Sequence, residues 1–155
     1  MSKRLLGAAI ATAALSITPF AMSHLDDEEP MQSYRQSYFT LLAMNFGPIA
    51  GMLKGEIPWD EAKLLKLAED FSAVASVDVA RAFGPGTDGG KTRSKPEIWE
   101  NTDDFLEKYG DLQEAAKMLV PAASTGDKQE VGKAVRAIGG TCKACHDEYK
   151  SKDYL

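Results

Sequence analysis

The sequence predicts an all-α fold, an antiparallel four-helix bundle, on three observations. Apolar residues recur at spacings of three and four in four separate segments, which is the period of an amphipathic helix. Glycine and proline residues punctuate the chain between those segments. The sequence has no credible strand-like alternation of apolar and polar residues and no internal repeat. Four amphipathic helices of this kind pack most simply as an antiparallel bundle.

The start of the chain has the pattern of a secretory signal peptide. A short basic stretch precedes an apolar run, and Ala21 and Ser23 place small residues at the positions that determine cleavage. We therefore assign residues 1–23 to the signal and residues 24–155 to one mature domain, and we expect export to the periplasm. The alternative is an uncleaved membrane anchor, which needs about 20 apolar residues, and Pro19 interrupts the run.

The mature segment is acidic. Lys3 and Arg4 belong to the signal, so residues 24–155 carry 16 basic and 23 acidic residues, a formal net charge of −7. A surface of this sign repels nucleic acid and anionic lipid, so we expect neither nucleic acid nor a membrane as a partner. Charged partner proteins are expected to be basic.

The first two helices are predicted from their apolar spacing and from the residues at their ends. The first is predicted to open at Pro30 and to end at Gly55, with a bend at Pro48, because proline lacks a backbone donor. Its apolar positions are Tyr34, Tyr38, Leu41, Leu42, Phe46, Ile49 and Leu53. The second begins after Asp60, a plausible N-cap. Its apolar positions are Leu64, Leu67, Ala68, Phe71, Val74 and Ala75.

A long connection, residues 83–95, separates these helices from the last two. It is rich in glycine and has no apolar period, and long loops of this kind are often functional. After a short turn at Pro96, a third helix is predicted from Phe105, Leu106, Tyr109, Leu112, Ala116, Leu119 and Ala123. Gly126 ends it. Asp127 and Glu130 form a capping-box-like start of the fourth helix.

The fourth helix contains the sequence C-x-x-C-H, formed by Cys142, Cys145 and His146. At helical spacing these three side chains share a face about 100° wide. Two thiols on that face can form thioethers with the vinyl groups of a haem while the imidazole binds the iron, which is the haem c attachment motif.

Three other uses of the motif fit this sequence less well. A structural zinc site needs four ligands, and the remaining histidine, His24, lies at the predicted cleaved terminus. A thioredoxin-type pair should open a helix after a strand, whereas this pair comes late in a helix. A disulfide between residues three apart closes a very small loop and contributes little stability. Covalent haem attachment is the favoured interpretation.

At these residues the chain resembles the cytochromes c′, the high-spin class II c-type cytochromes. The resemblance is carried by YRQSYFTLLAMNFGPIAGMLKGEIPWD, FGPGTDGG, KPEIW and TCKACHDEYK, and it extends over nearly all of the mature chain. It implies a four-helix bundle with one haem c per chain on the C-terminal helix, bound covalently to Cys142 and Cys145 and ligated by His146. It also implies a homodimer, with the first two helices as the interface, and the sequence adds that both helices carry apolar residues beyond a narrow stripe, such as Met44 and Leu65.

The resemblance also suggests residues around the haem. Arg35 and Gln36 match the family's RQ pair at the haem edge, where Arg35 could pair with a propionate. Arg93 could contact the haem periphery. The alternative for Arg35 is a solvated surface charge. Many members have arginine where this chain has Lys150, and lysine lacks the planar fork of donors, so a proximal role there is open.

The sixth position of the iron separates two functions. Nine residues follow His146 and none is methionine, so a second protein ligand would have to come from upstream. In the family pattern Phe39 would cover the open face, although aromatic residues at helical spacing are more often plain core. The iron is then five-coordinate and binds small diatomic gases such as nitric oxide.

The alternative is a six-coordinate, low-spin electron-transfer cytochrome with Met31 as the sixth ligand, by analogy with related class II cytochromes. An unidentified periplasmic redox partner is expected in either case. No oriented nucleophile and base are found in the sequence, so an enzyme is not expected.

Overall fold

The computed structural model describes residues 29–155, so the predicted signal peptide and the predicted terminus at His24 lie outside the described residues. The helices are α1 (Pro30–Lys54), α2 (Glu61–Ala75), α3 (Glu97–Glu100), α4 (Thr102–Lys117), α5 (Leu119–Ser124) and α6 (Lys128–Tyr149), with a 3₁₀ turn at Ala80–Phe83. The long elements α1, α2, α4 with α5, and α6 form a four-helix bundle, which confirms the predicted fold class. Within this described range, no helix is long and apolar enough to cross a bilayer.

The first two helices begin and end as their sequences predict. Pro30 occupies the first turn of α1, and Gly55 ends the helix with a φ of 78°, a left-handed conformation that glycine adopts without steric cost. Pro48 lies inside α1, and the helix continues through it. Asp60 caps α2 by accepting a hydrogen bond of 3.0 Å from the backbone N–H of Lys63.

The third predicted helix is wrong in one respect, because two helices occupy its range. The α-helical hydrogen-bond pattern is interrupted at Met118, whose N–H bonds to the carbonyl of Ala115. Pro121 gives the physical reason. It has no N–H for the carbonyl of Lys117, and its ring crowds the preceding turn. The segment therefore divides into α4 and α5.

The N-terminus of α6 is capped, but the predicted capping box does not form. Asp127 accepts a hydrogen bond of 2.7 Å from the N–H of Gln129. Glu130 instead pairs with Lys133 at 2.6 Å. The N–H of Asp127, which a box would give to Glu130, donates to the hydroxyl of Thr125 at 3.0 Å. The hydroxyl of Thr125 therefore accepts the hydrogen bond that Glu130 would accept in a capping box.

The core forms where α1 packs on α2, α4 packs on α6 and α2 packs on α5. Its largest fully buried side chains are Phe71, Ile49, Leu64, Leu119, Ile138, Val79 and Val131. In contrast, α1 and α6 contact each other at few points. A cavity lies between them, at the end of the bundle that carries the C-x-x-C-H sequence.

Candidate haem site

A cavity of about 450 Å³ is enclosed by α1, α4, α6 and the loop that precedes α3. This volume falls within the roughly 300–1,000 Å³ range of small-molecule sites. Its walls are mostly apolar, and the apolar side chains lining it include Phe39, Leu42, Phe46, Phe71, Phe83, Ile98, Phe105 and Leu112. Such a site suits a large flat apolar group better than a free ion.

The α6 wall of the cavity contains Cys142, Cys145 and His146. Both thiols are free and half-buried. Burial raises the pKa of Cys142, and it raises the pKa of Cys145 to about 11, so both thiols are protonated at neutral pH. Partial burial, followed by the charges of Lys150 and Arg93, lowers the pKa of His146. A neutral imidazole has the free lone pair that a metal ligand needs.

A network of polar contacts between α4 and α6 fixes which face of α6 is turned toward the cavity. Tyr149 donates to Asp104 at 2.5 Å. Lys108 pairs with the same carboxylate at 3.2 Å and with Glu148 at 3.4 Å. Tyr149 and Lys108 both line the cavity. Since Tyr149 lies four residues after Cys145, this contact keeps the cysteine face of the helix toward the cavity.

Arg35 is buried on the α1 wall, with a relative exposure of 3%. Its Nη1 donates to the carbonyls of Ala82 and Thr87, both at 2.6 Å. The guanidinium also lies 5.3 Å from the ring centre of Phe83 and 5.6 Å from that of Trp99. Arg35 therefore ties α1 to the glycine-rich loop and to α3.

The other side of the same guanidinium has no protein partner. Nε and Nη2 of Arg35 are buried without a hydrogen bond, and the residue forms no ion pair in the described part of the chain. Burial lowers the pKa of Arg35, but arginine remains charged because its ordinary pKa lies far above neutral. Nε and Nη2 form the fork that binds a carboxylate through two parallel hydrogen bonds. A buried fork of this kind fits a cofactor that carries carboxylates.

Phe39 lies on the α1 wall of the cavity. Its ring lines the cavity yet remains 37% exposed, so it is not a plain core residue. The ring packs edge-on against Tyr38, with 5.1 Å between the ring centres. The hydroxyls of Tyr38 and Tyr109 are 2.7 Å apart, and Tyr109 lies 2.5 Å from the carbonyl of Val77. Because Tyr109 donates its proton to that carbonyl, Tyr38 is the donor between the two tyrosines.

The remaining wall is formed by a loop and the C-terminal segment. Arg93 lines the cavity and donates from Nε to the carbonyl of Ser151 at 2.8 Å. Lys150 and Tyr154 also line it. The side chain of Lys150 lies at the edge of the cavity and is also exposed to solvent.

The cavity brings together residues that lie far apart in the sequence. The predicted site residues Cys142, Cys145, His146, Arg35, Gln36, Phe39 and Arg93 all line it. Met31 does not, and it is 36% exposed. The sequence reasoning missed Gln32, Lys108 and Tyr154. Gln32 could have been found, because it lies three residues before Arg35 on the same helix face.

Comparisons with known proteins agree with this geometry. A profile of the family described as Cytochrome C′ matches residues 31–150. Cytochrome c′ of Cereibacter sphaeroides is 40% identical over 129 residues, which is 81% of this chain and 86% of that protein. The solved structure of cytochrome c prime from Shewanella frigidimarina is 34% identical, with a TM-score of 0.76, and the match covers 83% of this chain and 99% of that one.

A further solved structure is the nitric oxide complex of a variant of cytochrome c prime from Alcaligenes xylosoxidans. It is 36% identical, with a TM-score of 0.73, and the match covers 83% of this chain and 99% of that one. The similarity thus extends through the helices that enclose the cavity and through the C-x-x-C-H sequence. The chain belongs to the cytochrome c′ family, whose members carry covalently bound haem c.

Proposed function

We propose that the protein binds small uncharged gases such as nitric oxide at a five-coordinate haem iron, with His146 as the only protein ligand. One observation carries the proposal. Among the described residues that line the cavity there is one histidine and no methionine. Phe39, which lines the cavity, has no atom that can coordinate a metal. An iron ligated by His146 would therefore keep an open position.

The chain has groups for each part of a haem c. Cys142 and Cys145 would form the two thioethers and His146 the axial bond, since all three lie on one cavity wall. The unpartnered fork of Arg35 would bind a propionate. Gln36 and Arg93 would border the haem edge. The bound iron supplies an open coordination position, and the protein residues determine which molecules reach it.

The second candidate is low-spin electron transfer with Met31 as the sixth ligand. This candidate is less well supported, because Met31 lies outside the cavity lining and in the first turn of α1. A gas-binding protein with a five-coordinate iron can still exchange electrons with a periplasmic partner. We therefore propose electron carriage as a secondary role, and a binding protein rather than an enzyme.

The absorption spectrum of the purified holoprotein tests the proposal. We expect high-spin spectra in the ferric and ferrous states and a new species when nitric oxide is added to the ferrous protein. A low-spin spectrum with a methionine-to-iron charge-transfer band would reject five-coordination and favour Met31. In that case Met31→Leu should convert the iron to high spin.

The proposal also includes a location and an assembly. Cleavage before His24 would deliver the mature chain to the periplasm. A homodimer through α1 and α2 is supported by the exposed apolar side chains Leu41 and Met44, which are 52% and 67% exposed. The other residue named from the sequence, Leu65, is half-buried against the core and contributes less to such a surface.

A further inference from the structure

Two extended segments lie side by side at the cavity edge, and we call them the loop–tail ribbon, residues 91–95 and 150–155. The N–H of Ser151 donates to the carbonyl of Arg93 at 2.8 Å, and the N–H of Leu155 donates to that of Thr92 at 2.8 Å. Ser94 and Lys150 form an antiparallel bridge. The ribbon is therefore a built element that borders the proposed haem cavity.

The side chains of the ribbon include five cations, Lys91, Arg93, Lys95, Lys150 and Lys152, and one carboxylate, Asp153. None of the five forms an ion pair within residues 29–155. Elsewhere in that range six lysines do form ion pairs: Lys54, Lys66, Lys108, Lys117, Lys133 and Lys143. Within the described residues, six helix lysines are thus neutralised locally, whereas none of the five cations of the ribbon is.

Three of these cations are held in place without losing their charge. Lys91 lies over the ring of Tyr154, 5.3 Å from its centre. Arg93 donates to the carbonyl of Ser151, and Lys95 donates to the carbonyl of Glu148 at 2.7 Å. Bonds to carbonyl oxygens and an aromatic ring orient a cation but do not cancel its field. The ribbon therefore presents an ordered positive surface.

This surface has the opposite sign to the protein as a whole. Counting side chains, the ribbon has a net charge of +4, while the other described residues have 11 basic and 19 acidic groups, a net charge of −8. At physiological ionic strength the screening length is about 8 Å, so a molecule in contact with the ribbon senses mainly the ribbon. A partner that binds at this edge should therefore be acidic, whereas the net charge of the protein predicts a basic partner.

We propose that the loop–tail ribbon docks the acidic face of a soluble partner protein, beside the cavity that holds the haem. Charge complementarity identifies the class of partner, and the ribbon's contact with the cavity places that partner close to His146. The proposal rests on the proposed function only in that it requires haem in the cavity. The basic partner predicted from the net charge would be repelled at this edge.

Electron transfer to a small anionic oxidant measures the local charge. Ferricyanide takes one electron from the ferrous haem, which yields ferrocyanide and ferric haem. We expect the second-order rate constant to fall as the salt concentration rises, because the ribbon attracts the anion despite the acidic net charge. A rate constant that rises with salt would mean that the net charge dominates, and the proposal would fail.

A matched pair of triple variants localises the effect. Lys91→Gln, Lys95→Gln and Lys152→Gln together should lower the low-salt rate by about tenfold, a typical size for electrostatic steering. Lys63→Gln, Lys117→Gln and Lys133→Gln together change the net charge equally. None of these three control residues lines the cavity, and all are exposed. Equal effects in the two triple variants would contradict a role for the ribbon.

The class of partner is tested with three probes of the holoprotein. In an NMR titration with a decaglutamate peptide, we expect amide shift changes confined to residues 91–95 and 150–155, with no such changes for decalysine. Binding to phosphatidylglycerol vesicles at physiological salt without a response to decaglutamate would overturn the proposal in favour of a membrane. Self-association that the ribbon variant abolishes would overturn it in favour of a second copy.

Nitric oxide binding is measured on the same protein preparations, so that failure of the docking proposal can be distinguished from failure of the gas-binding proposal. If nitric oxide binds normally but the ribbon shows no preference for anions, the docking proposal fails and the gas-binding function stands. If the haem is low-spin and does not bind nitric oxide, the proposed function fails, and the ferricyanide and peptide results still test the ribbon.

Discussion

At the scale of single residues, we predict that Phe39 acts as a lid over the cavity rather than as part of the core. It lines the cavity and remains partly exposed, and its ring is held edge-on against Tyr38. A phenyl ring at this position leaves little room for an entering molecule but cannot coordinate iron. The side chain is thus suited to act as a hydrophobic lid.

Replacing Phe39 with alanine should speed carbon monoxide binding to the ferrous protein by about tenfold, equivalent to removing about 1.4 kcal/mol from the barrier. Flash photolysis or stopped-flow mixing measures the rate constant. Leu41→Ala is the control, because Leu41 lies on the same helix, is 52% exposed and does not line the cavity. Unchanged kinetics in Phe39→Ala would show that this residue is not the lid.

The tyrosine pair makes a second prediction at this scale. Tyr38→Phe should lower the free energy of unfolding by about 1 kcal/mol, because one buried hydrogen bond is lost while Tyr109 keeps its bond to the carbonyl of Val77. Tyr109→Phe should cost more, because it leaves the buried hydroxyl of Tyr38 without an acceptor.

Urea denaturation of the holoprotein, followed by helical circular dichroism, measures both changes. Tyr34→Phe is the control, since within residues 29–155 its hydroxyl accepts a single bond, of 3.3 Å, from the exposed Arg81. If Tyr109→Phe proves less destabilising than Tyr38→Phe, then Tyr38 is not the donor of this pair.

At the scale of elements, Arg35 links three parts of the fold to one another. One edge of its guanidinium holds the carbonyls of Ala82 and Thr87, and its faces contact Phe83 and Trp99. The glycine-rich loop has no apolar period and little burial of its own. The loop is therefore held in place by a side chain from α1 together with the C-terminal segment and Trp99, whose Nε1 donates to the carbonyl of Gly84 at 3.1 Å.

Arg35→Lys should increase amide exchange in the loop at residues 84–94 by about tenfold or more, because a lysine cannot bridge two carbonyls while presenting a fork to a carboxylate. Hydrogen exchange detected by mass spectrometry measures this change. Arg81→Lys is the matched control, because Arg81 is exposed and lies outside the cavity. Exchange that stays unchanged in Arg35→Lys would exclude Arg35 as the residue that orders the loop.

At the scale of the whole molecule, covalent haem attachment is tested by intact mass. The denatured mature protein should weigh the polypeptide that begins at His24 plus one haem, since thioethers survive denaturation. Cys142→Ala with Cys145→Ala should release the haem on denaturation. A wild-type mass equal to the bare polypeptide would falsify covalent attachment, and a mass that includes residues 1–23 would contradict cleavage.

The proposed homodimer is tested by light scattering at micromolar concentration. We expect a dimer for the wild type and a monomer for Met44→Glu, because a charge would be buried at an apolar contact. Met118→Glu is the control, since Met118 is also exposed, at 62%, but lies at the junction of α4 and α5. A monomeric wild type would reject the assembly.

Features that depend on neighbouring residues could be predicted from the sequence. Helical periodicity, the caps at Asp60 and Asp127 and the C-x-x-C-H spacing are all local, because they involve residues within a few positions of one another. The four-helix bundle followed from these and is confirmed. The break in the third helix at Met118 also has a local cause, Pro121. The sequence did not predict this break, because the apolar stripe continues across it.

The contacts between groups that lie far apart in the sequence could not be predicted, because they depend on how the helices pack. Nη1 of Arg35 reaches carbonyls 47 and 52 residues away, and residues 92–95 pair with the C-terminal segment. No periodicity predicts such pairs, because they arise from how the helices pack and where the long loop returns. The haem-binding roles of the seven predicted site residues remain predictions, but their convergence on one cavity is a result of packing. The local reversal of charge at the ribbon has the same origin, since net charge is a sum over the chain and polarity at a site depends on which charges lie together.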